Sequence, residues 1–371
     1  MKFGIITHAE HKLNKDGIFA YEPYVREMNL WEKHVDEIII LAPVSKSKEV
    51  TNIETRYKHS KIKFVKISNF NITTLKNFST SLFLIPKICV QIYGQMKYSA
   101  NINLRCPGNI GLLGCFIQIM FPSKPKTVKY AGNWDPKSKQ PLSYRLQKKI
   151  LSNTFLTKNC KVLVYGEWKN QTQNILPFFT ASYAKNEIVD IELKNLKSKI
   201  KLLFVGNFSK GKQPLLSVKV AEQLLKKNYN VQLDMFGDGV EFSTVQNYIS
   251  NNKLSTNIIL HGNQPKNVVK KAFQESHFLV FISKSEGWPK VVAEAMFWSC
   301  LPISTKVSCV PFMLGEGKRG SIVNDTISEI TSEIEYYINE EHVYLKKVKE
   351  AKAWSQLFTL EKFEKEIQKL L

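Results

Sequence analysis

Short apolar stretches alternate with longer amphipathic stretches along the chain, and the pattern breaks and restarts once near the middle. The apolar stretches have the length and branched composition of buried strands, as in EIIILAP at 37–43, KVLVYG at 161–166 and KLLFVG at 201–206. The intervening stretches have the helical period, as in PLLSVKVAEQLLKKN at 214–228. Strands that alternate with helices predict parallel sheets with crossover helices. The sequence therefore predicts an α/β fold.

A polar stretch without a strand or helix period separates the two halves. It reads YAKNEIVDIELKNLKSK at 183–199, and the strand and helix pattern restarts directly after it. We predict two Rossmann-like domains and a last helix, roughly 341–371, that reaches back onto the first domain. Within that helix, Trp354, Phe358 and Phe363 are expected to form one apolar stripe. The predicted boundaries are 1–185 for the first domain, 186–199 for the linker, 200–345 for the second domain and 346–371 for the C-terminal helix.

Most of the positive charge lies in one third of the chain. The formal net charge of the 371 residues is +21, and residues 51–166 contain 19 lysines and arginines but only two acids, Glu54 and Asp135. Such a field attracts polyanions, which include nucleic acid, an anionic lipid leaflet and phosphorylated substrates. A solvated basic surface without a partner is the alternative that the charge alone leaves open.

Composition and local pattern exclude several classes of protein. No apolar run reaches the roughly 18 residues of a membrane span, and the longest, at 110–121, predicts a buried helix. The N-terminal residues 2–7 predict a first strand and lack the features of a signal peptide. The six cysteines have no C-x-x-C spacing, so we expect reduced core residues in a cytoplasmic protein, without a zinc site.

The stretch SKSEGWPKVVAEAM at 283–296 places one glutamate in a loop and a second one inside a helix. A predicted strand at 277–283 runs into the loop that carries Glu286. Ligands of parallel sheets bind where strands end at their carboxyl edge. Gly287 allows the backbone to approach a ligand closely, and Pro289 suits the first position of the next helix.

The start of this helix is a predicted anion site. The N–H groups near Lys290, Val291 and Val292 point out of the helix at the positive end of its dipole. Glu294 lies one turn further in, about 5–6 Å along the axis. The two acids then flank the anion, which suits a molecule with hydroxyls on both sides of a diphosphate, such as a nucleotide sugar. The open alternative is that Glu286 caps the helix and Glu294 faces solvent.

Three motifs in the second half resemble those of one enzyme family. SKSEGWPKVVAEAMFWSCLPISTKV resembles the E-x7-E signature of the retaining glycosyltransferases of family GT4. LLFVGNFSKGKQ at 202–213 resembles the family's F-V-G-R-L-x-x-x-K-G, and DMFGDG at 234–239 resembles its strand-plus-glycine element. The resemblance implies the GT-B fold, in which two Rossmann-like domains face a central cleft. It implies a nucleotide-sugar site in the second domain and an acceptor site in the first.

The resemblance also implies roles for the matching residues. Glu286 would bind hydroxyls of the donor sugar and stabilise charge at the transferring carbon, while Lys212 would pair with the diphosphate. These two are the implied catalytic residues, and Glu294 would bind the ribose hydroxyls. The other implied donor-binding residues are Asn207, Lys210, Gly237, Asn263, Gly287, Trp288, Pro289, Lys290 and Val291.

One donor-site position departs from the family pattern. The family has arginine where this chain has Asn207. An uncharged amide cannot replace a guanidinium fork on a diphosphate. Either another cation substitutes, for which Lys210 and Arg105 are the candidates, or the donor is held less tightly.

The first domain offers weaker candidates for the acceptor site or the cleft. They are Gly17, Arg105, Asn133 and Asp135. Gly17 stands where the family has a glycine-rich loop, and KYAGNWD at 129–135 corresponds to a region where many relatives place a histidine. A structural turn at 129–135 and a surface position for Arg105 are the alternatives. His8 and His11 follow the first strand and either face the cleft or serve a structural role.

The predicted reaction is transfer of a sugar from a UDP- or GDP-linked donor to a glycan acceptor. The resemblance implies retention at the anomeric carbon. No D-x-D triad stands in a strand-end loop, so we expect no metal ion and no other cofactor. The alternatives that remain open are a nucleotide-sugar epimerase of the GT-B fold and a non-catalytic scaffold that binds a membrane or a glycan.

The basic segment suggests where the enzyme works. It interleaves the aromatic residues Phe64, Phe70, Phe78, Phe83, Tyr93, Tyr98, Phe116 and Phe121. A basic and aromatic face suits a peripheral protein on the anionic inner face of the plasma membrane. We therefore expect a polyprenyl-linked acceptor in bacterial surface polysaccharide or exopolysaccharide biosynthesis. No nucleic-acid motif is present, so no nucleic-acid partner is expected.

Overall fold

The computed structural model describes residues 1–51, 53–68 and 75–371, without the side chains of 75–83. The chain divides into two compact units, one formed by Met1–Phe179 with Phe363–Leu371 and the other by Thr180–Lys362. The last nine residues therefore belong to the first unit, as the expected return of the C-terminal helix requires.

The first unit is built on a parallel sheet with a small antiparallel sheet beside it. Its described strands are β1 Lys2–Ile6, β2 His11–Asn14, β3 Gly17–Tyr21, β4 Glu37–Pro43, β5 Glu54–Arg56, β6 Ile62–Ile67, β7 Asn101–Cys106, β8 Lys126–Tyr130, β9 Cys160–Val164 and β10 Ile175–Pro177. Seven of these described strands form the parallel sheet in the order β10-β9-β8-β7-β1-β4-β6. The chain moves outward in both directions from the neighbours β1 and β7. The topological switch point, where α/β sheets bind ligands, therefore lies between them.

The remaining elements of the first unit surround this sheet. Strands β2, β3 and β5 pair antiparallel, and the sequence pattern did not predict them. The described helices are α1 Glu22–Glu32, α2 Leu75–Tyr98, α3 Asn109–Ile117 and α4 Leu142–Leu151. Helix α3 begins just beyond the carboxyl end of β7, so the start of this helix lies at the ligand-binding edge of the sheet.

The second unit repeats the parallel architecture. Its strands are β11 Ile200–Val205, β12 Val231–Phe236, β13 Ile258–Gly262, β14 Phe278–Phe281, β15 Leu301–Thr305 and β16 Ser321–Val323. Its helices are α5 Pro214–Lys226, α6 Phe242–Asn251, α7 Lys266–Glu275, α8 Lys290–Phe297, α9 Val310–Met313, α10 Ile327–Asn339 and α11 Glu341–Ser355, followed by α12 Leu360–Gln368, which continues into the first unit. The strand order is β13-β12-β11-β14-β15-β16, which places the switch point between β11 and β14.

Strand β11 shows why apolar runs in this chain form central strands. Its consecutive residues Leu202, Leu203 and Phe204 are all buried, and it pairs in parallel with β12 and with β14. A strand covered by helices on both faces needs apolar side chains in both directions, which gives a continuous run instead of alternation. The pattern at 201–206 therefore identified the centre of the second sheet.

The prediction of one helix over roughly 341–371 is wrong, because the chain breaks between α11 and α12. At the break, the Leu360 N–H donates a hydrogen bond to the Tyr183 carbonyl at 2.9 Å. The Thr359 hydroxyl then accepts from the Lys362 N–H at 3.4 Å, in the manner of a helix cap. A contact with a distant part of the chain and a local cap thus lie at the start of α12.

The expected apolar stripe is divided by the same break. Trp354 packs against Phe358 in the second unit, with ring centroids 4.6 Å apart. Phe363 packs instead against Phe178 and Phe179 of the first unit, at 5.4 and 5.6 Å. These aromatic side chains therefore pack in two different units.

His277, which precedes β14, is a buried neutral histidine. It is 6% exposed, its Nδ1 accepts a hydrogen bond from the Lys201 N–H at 3.0 Å, and its Nε2 lies 3.0 Å from the Asn195 carbonyl oxygen. Because Nδ1 accepts, Nε2 carries the single proton and donates it. Burial, assisted by the charge of Lys194, lowers the pKa of His277 to about 4.

This lowered pKa predicts acid sensitivity. Between the ordinary pKa of 6.5 and about 4, the unfolded chain binds a proton at His277 that the folded chain does not. We therefore expect His277 to make the folded state less stable as the pH falls through this window. Thermal unfolding of the wild type and of His277→Gln across the window measures the contribution. Equal slopes of Tm against pH in the two proteins would contradict the prediction.

Candidate functional site

An ion pair connects the loops at the switch point of the second sheet. Lys212 follows β11 and Glu286 follows β14, and the Lys212 ammonium donates to Oε1 of Glu286. The Ser283 hydroxyl donates to the same oxygen. The Lys212 ammonium also lies 4.8 Å from the ring centroid of Phe281. The Glu286 side chain is only 10% exposed, so the pair is largely shielded from bulk water while it lies at the edge where ligands bind.

Backbone contacts fix the loops that carry this pair. The Lys284 N–H donates to the Gly211 carbonyl at 2.9 Å, which joins the two loops directly. Ser283 and Thr305 exchange two hydrogen bonds: the Ser283 N–H donates to the Thr305 hydroxyl at 3.1 Å, and that hydroxyl donates to the Ser283 carbonyl at 2.7 Å. The loop after β14 is therefore held by both neighbouring strand ends, which orients the Glu286 carboxylate before any ligand arrives.

The start of α8 differs from the sequence-based picture in two details. Pro289 is the N-cap residue, one position before the first helical residue for which its ring was predicted. The Val292 N–H donates to the Pro289 carbonyl at 3.0 Å, so the expectation that it points out of the helix is wrong. The carbonyl of Gly287, just before the cap, accepts a hydrogen bond from the Ser308 hydroxyl at 2.9 Å. The anion site predicted at the start of α8 therefore has one N–H donor fewer than expected.

Glu294 lies one turn further along α8 and has a partner in the second unit. Its Oε1 accepts a hydrogen bond from the Ser182 hydroxyl. Glu294 also lines a small pocket, together with Trp288 and Lys290 from the start of α8 and Tyr183. Glu294 is therefore neither a freely solvated helix residue nor part of the Lys212–Glu286 pair.

Glycine allows the loops after β11 and β12 to meet. Gly237 has φ +126°, and a Cβ atom on it would lie 1.9 Å from the Gly206 carbonyl oxygen. Asn207 and Lys210, which continue the same loop from Gly206, are exposed. Asn263 is also exposed, directly after β13. A side chain at position 237 would push apart the loop that carries the predicted diphosphate cations.

Two aromatic rings stack at the carboxyl ends of β12 and β13. Phe236 stacks on His261 with centroids 4.3 Å apart and planes 5° from parallel. His261 Nε2 lies 2.7 Å from Oδ1 of Asp234, which fixes the ring orientation. Phe236 directly precedes Gly237, and His261 directly precedes Gly262. The two stacked rings therefore lie next to both glycines.

Three of the first-domain residues predicted for the acceptor site or the cleft form hydrogen bonds within local turns. Gly17 follows the turn of the β2–β3 hairpin, with φ +138°, where its N–H donates to the Asn14 side chain at 3.1 Å. Asn133 accepts from the Asp135 N–H at 2.9 Å, and Asp135 accepts from the Lys137 N–H at 2.8 Å. These bonds build a turn after β8.

Arg105 is the fourth first-domain candidate and lies on β7. Its guanidinium carbon lies 4.7 Å from the ring centroid of Tyr24. The side chain is half-buried, so Arg105 is not the plain surface arginine that the sequence left open.

The described residues contain no cluster of three or more His, Cys, Asp or Glu side chains that is arranged to hold a metal ion. All six cysteines, each in the described part of the chain, are free thiols. Within the same described part, no helix combines the length and apolarity that crossing a membrane requires.

Sequence reasoning missed the hydroxyl groups that orient the two acids. Ser283 stands three residues before Glu286 in the quoted motif, and its spacing could have identified it. Ser182 lies more than 100 positions from Glu294, and no local pattern connects the two. Ser308, which holds the Gly287 carbonyl, directly follows the motif that ends at Val307, but the motif pattern does not include it.

Comparison with known proteins agrees with this architecture. Residues 185–355 match the family described as glycosyl transferases group 1. Over 161 residues the chain is 27% identical to an uncharacterized glycosyltransferase of Methanocaldococcus jannaschii, which covers 43% of this chain and 44% of that relative. The chain thus spans less than half the length of this curated relative.

Solved structures show the same fold over different shares of the chain. The crystal structure of Anabaena HepE in complex with UDP and glucose aligns with a TM-score of 0.68 at 11% identity, over 100% of this chain and 98% of that one. TarM of S. aureus aligns with a TM-score of 0.56 at 16% identity, over 73% of this chain and 54% of TarM. Residues 185–355 thus match a glycosyl transferases group 1 domain, and the two parallel units, together with the alignment over the full chain, show the GT-B fold.

Proposed function

We propose that the protein is a retaining, metal-independent glycosyltransferase of family GT4. In this proposal, it moves a sugar from a nucleotide-diphosphate donor to a lipid-linked glycan acceptor. The observation that carries the proposal is the Lys212–Glu286 pair, which is shielded and fixed at the switch point of the second sheet. A uridine nucleotide is the first donor to test, because HepE was solved with UDP.

Each charged group of the pair has a separate task in the proposed reaction. A sugar leaves its diphosphate readily when the negative charge that develops on the leaving group is stabilised. Lys212 supplies a cation for this purpose. Glu286 accepts hydrogen bonds from the donor sugar and offsets positive charge at the transferring carbon. Ser283 keeps one oxygen of Glu286 occupied, so the other carboxylate oxygen remains available to the sugar.

Glu294 is proposed to hold the ribose. Its carboxylate accepts one hydrogen bond from Ser182, and a carboxylate has room for several donors. Two adjacent ribose hydroxyls can therefore bind without loss of the Ser182 contact. The exposed Lys210 beside Asn207 is proposed to supply the second cation for the diphosphate.

Radiolabelled nucleotide sugars, incubated with the protein and a bacterial lipid extract, test the reaction. Label that moves into the lipid fraction supports the transferase, and proton NMR of the new anomeric centre tests retention. Activity that survives EDTA supports metal independence. Formation of an epimer would favour the epimerase. Absence of all chemistry, with intact binding of glycan or membrane, would favour the scaffold.

The proposed membrane contact is supported by exposed apolar side chains of the first unit. Phe155 is exposed, and the Lys158 ammonium lies 4.9 Å from its ring centroid. Tyr98 and Met120 are also exposed among the described side chains. Apolar side chains beside lysines suit the surface of an anionic leaflet.

The aromatic side chains that the sequence predicts for a membrane-facing surface lie in different environments, and not all of them are exposed. Phe64 is half-buried against His11, with centroids 5.4 Å apart, so it is not a surface anchor. Phe70 lies outside the described residues, as do the side chains of Phe78 and Phe83. Tyr93 and Phe121 contact each other at 5.1 Å, and Phe116 is exposed, as is Tyr98.

We expect co-sedimentation with anionic vesicles that weakens strongly when the salt rises to about 0.5 M, because exposed charges are then screened beyond a few ångströms. Phe155→Ser combined with Lys158→Ser should weaken the binding further. Val240→Ser, which removes an exposed apolar side chain of the second unit, is the matched control. Binding that ignores salt and lipid charge would contradict the proposed contact.

A further inference from the structure

Arg105 carries a half-buried positive charge without a counter-ion among the described residues. Its Nη1 is buried and has no hydrogen-bond partner among the described residues. Within that described part, Arg105 also forms no salt bridge, and its guanidinium lies over the ring of Tyr24. A guanidinium has five N–H donors, and burial without acceptors costs free energy.

Another half-buried arginine of this chain shows the usual solution. Arg319 stacks on the ring of Trp354, at 4.4 Å, but it also donates from Nε and Nη2 to the carbonyls of Met313 and Phe312, at 2.9 and 2.8 Å. Arg319 thus has two carbonyl acceptors in its own unit. Arg105 has a ring contact but no acceptor among the described residues. This is expected of a guanidinium that binds an acceptor on a ligand.

The position of Arg105 agrees with this interpretation. It lies on β7, beside β1, and these two strands flank the switch point of the first sheet. His8 follows β1 and packs against the N-cap of α3, since a Cβ on Gly108 would lie 3.0 Å from its Nδ1. The pKa of His8 is lowered first by burial and then by the positive charge of Arg105, so the two side chains interact electrostatically. An arginine, a histidine and a helix start therefore meet at one sheet edge.

We propose that Arg105 binds the phosphoryl group of the acceptor, with His8 and the start of α3 beside it. This inference rests on the proposed transferase function and names the chemistry of its acceptor. A guanidinium matches phosphate oxygens in bidentate geometry, and helix starts favour anions. Tyr24, which is 5% exposed, supports the arginine with its ring. The ligand is a phosphate or diphosphate ester of a lipid or of a soluble glycan.

Calorimetric titration with inorganic pyrophosphate tests the site in the full-length protein. We expect the affinity to fall by more than about tenfold in Arg105→Met, the loss of one bidentate charged contact. Arg105→Lys should retain part of the binding, because it keeps the charge but not the fork. Arg145→Met, which removes an exposed arginine of the same unit, is the matched control and should change the affinity less than about twofold.

Stability separates a ligand site from a structural arginine. If Arg105 awaits a ligand, Arg105→Met should unfold at the same temperature as the wild type or a higher one, because an unpaired, half-buried charge is removed. A clearly lower Tm would overturn the proposal. The nitrogen shifts of His8 in NMR spectra should also respond to pyrophosphate in the wild type but not in Arg105→Met.

Saturation with UDP identifies the source of the phosphoryl group. Pyrophosphate binding that depends on Arg105 should persist in the presence of UDP, and competition by UDP would assign Arg105 to the donor and overturn the proposal. Transfer assays then compare a lipid-diphosphate acceptor with a phosphorylated water-soluble glycan, to identify the ester that Arg105 recognises. Failure of transfer with intact Arg105-dependent binding would count against the proposed function alone. Pyrophosphate binding that is equal in all variants would overturn the site alone.

Discussion

Replacement of Glu286 by alanine is expected to lower kcat for sugar transfer by about 10²- to 10³-fold, the range for removal of one preorganised electrostatic contact. The residue lies in a loop whose backbone is fixed by Ser283 and Thr305, so the fold should survive the change. The loss should appear in kcat more than in KM, because a carboxylate that offsets charge at the transferring carbon acts mainly in the transition state. Initial rates with a saturating nucleotide sugar measure it.

Glu286→Gln separates the charge of the side chain from its shape. The amide oxygen can still accept from Ser283, so the variant keeps the local hydrogen bond but loses the negative charge. A loss close to that of the alanine variant would assign the effect to charge. Near-normal turnover in Glu286→Ala, with unchanged circular dichroism and Tm, would mean that the catalytic assignment is wrong.

The second unit was largely predictable because its information is local. The run at 201–206 marked the central strand β11, and the motif at 283–296 identified the loop after β14. Strands that end at a common edge bring such loops together, so the meeting of Lys212 and Glu286 follows from topology and from two short motifs. That these residues bind a donor remains a prediction.

What the sequence did not predict depends on contacts between distant positions. The break before α12 arises from the bond between Leu360 and Tyr183, which no window of the sequence contains. The partner of Glu294 is Ser182, at the edge of a segment interpreted as linker. The unsatisfied state of Arg105 follows from the packing around it. Periodicity reports burial and backbone direction, whereas side-chain partnership requires the folded chain.

Lys212→Met should lower kcat/KM by about 10²- to 10³-fold, because the leaving diphosphate loses a cation preorganised by Glu286 and Phe281. Affinity for UDP should fall as well, since UDP retains the diphosphate.

Lys284→Met is the matched control for Lys212→Met. It removes an exposed lysine two positions before Glu286 and should leave kcat/KM within about threefold, because exposed charges contribute little. Equal losses in the two variants would mean that general positive charge, and not the position of Lys212, governs the rate.

The double variant Lys212→Met with Glu286→Gln tests whether the two residues act as a unit. Lys212→Met alone leaves the Glu286 carboxylate, 10% exposed, with the Ser283 hydroxyl but without a counter-ion, so it should lower Tm. Addition of Glu286→Gln removes the unpaired charge and should restore part of that Tm without restoring activity. The two activity losses should combine to less than their product, because each variant already disables the same pair. Fully multiplicative losses would indicate that the lysine and the glutamate act on separate steps, and that their contact in the free protein has no part in catalysis.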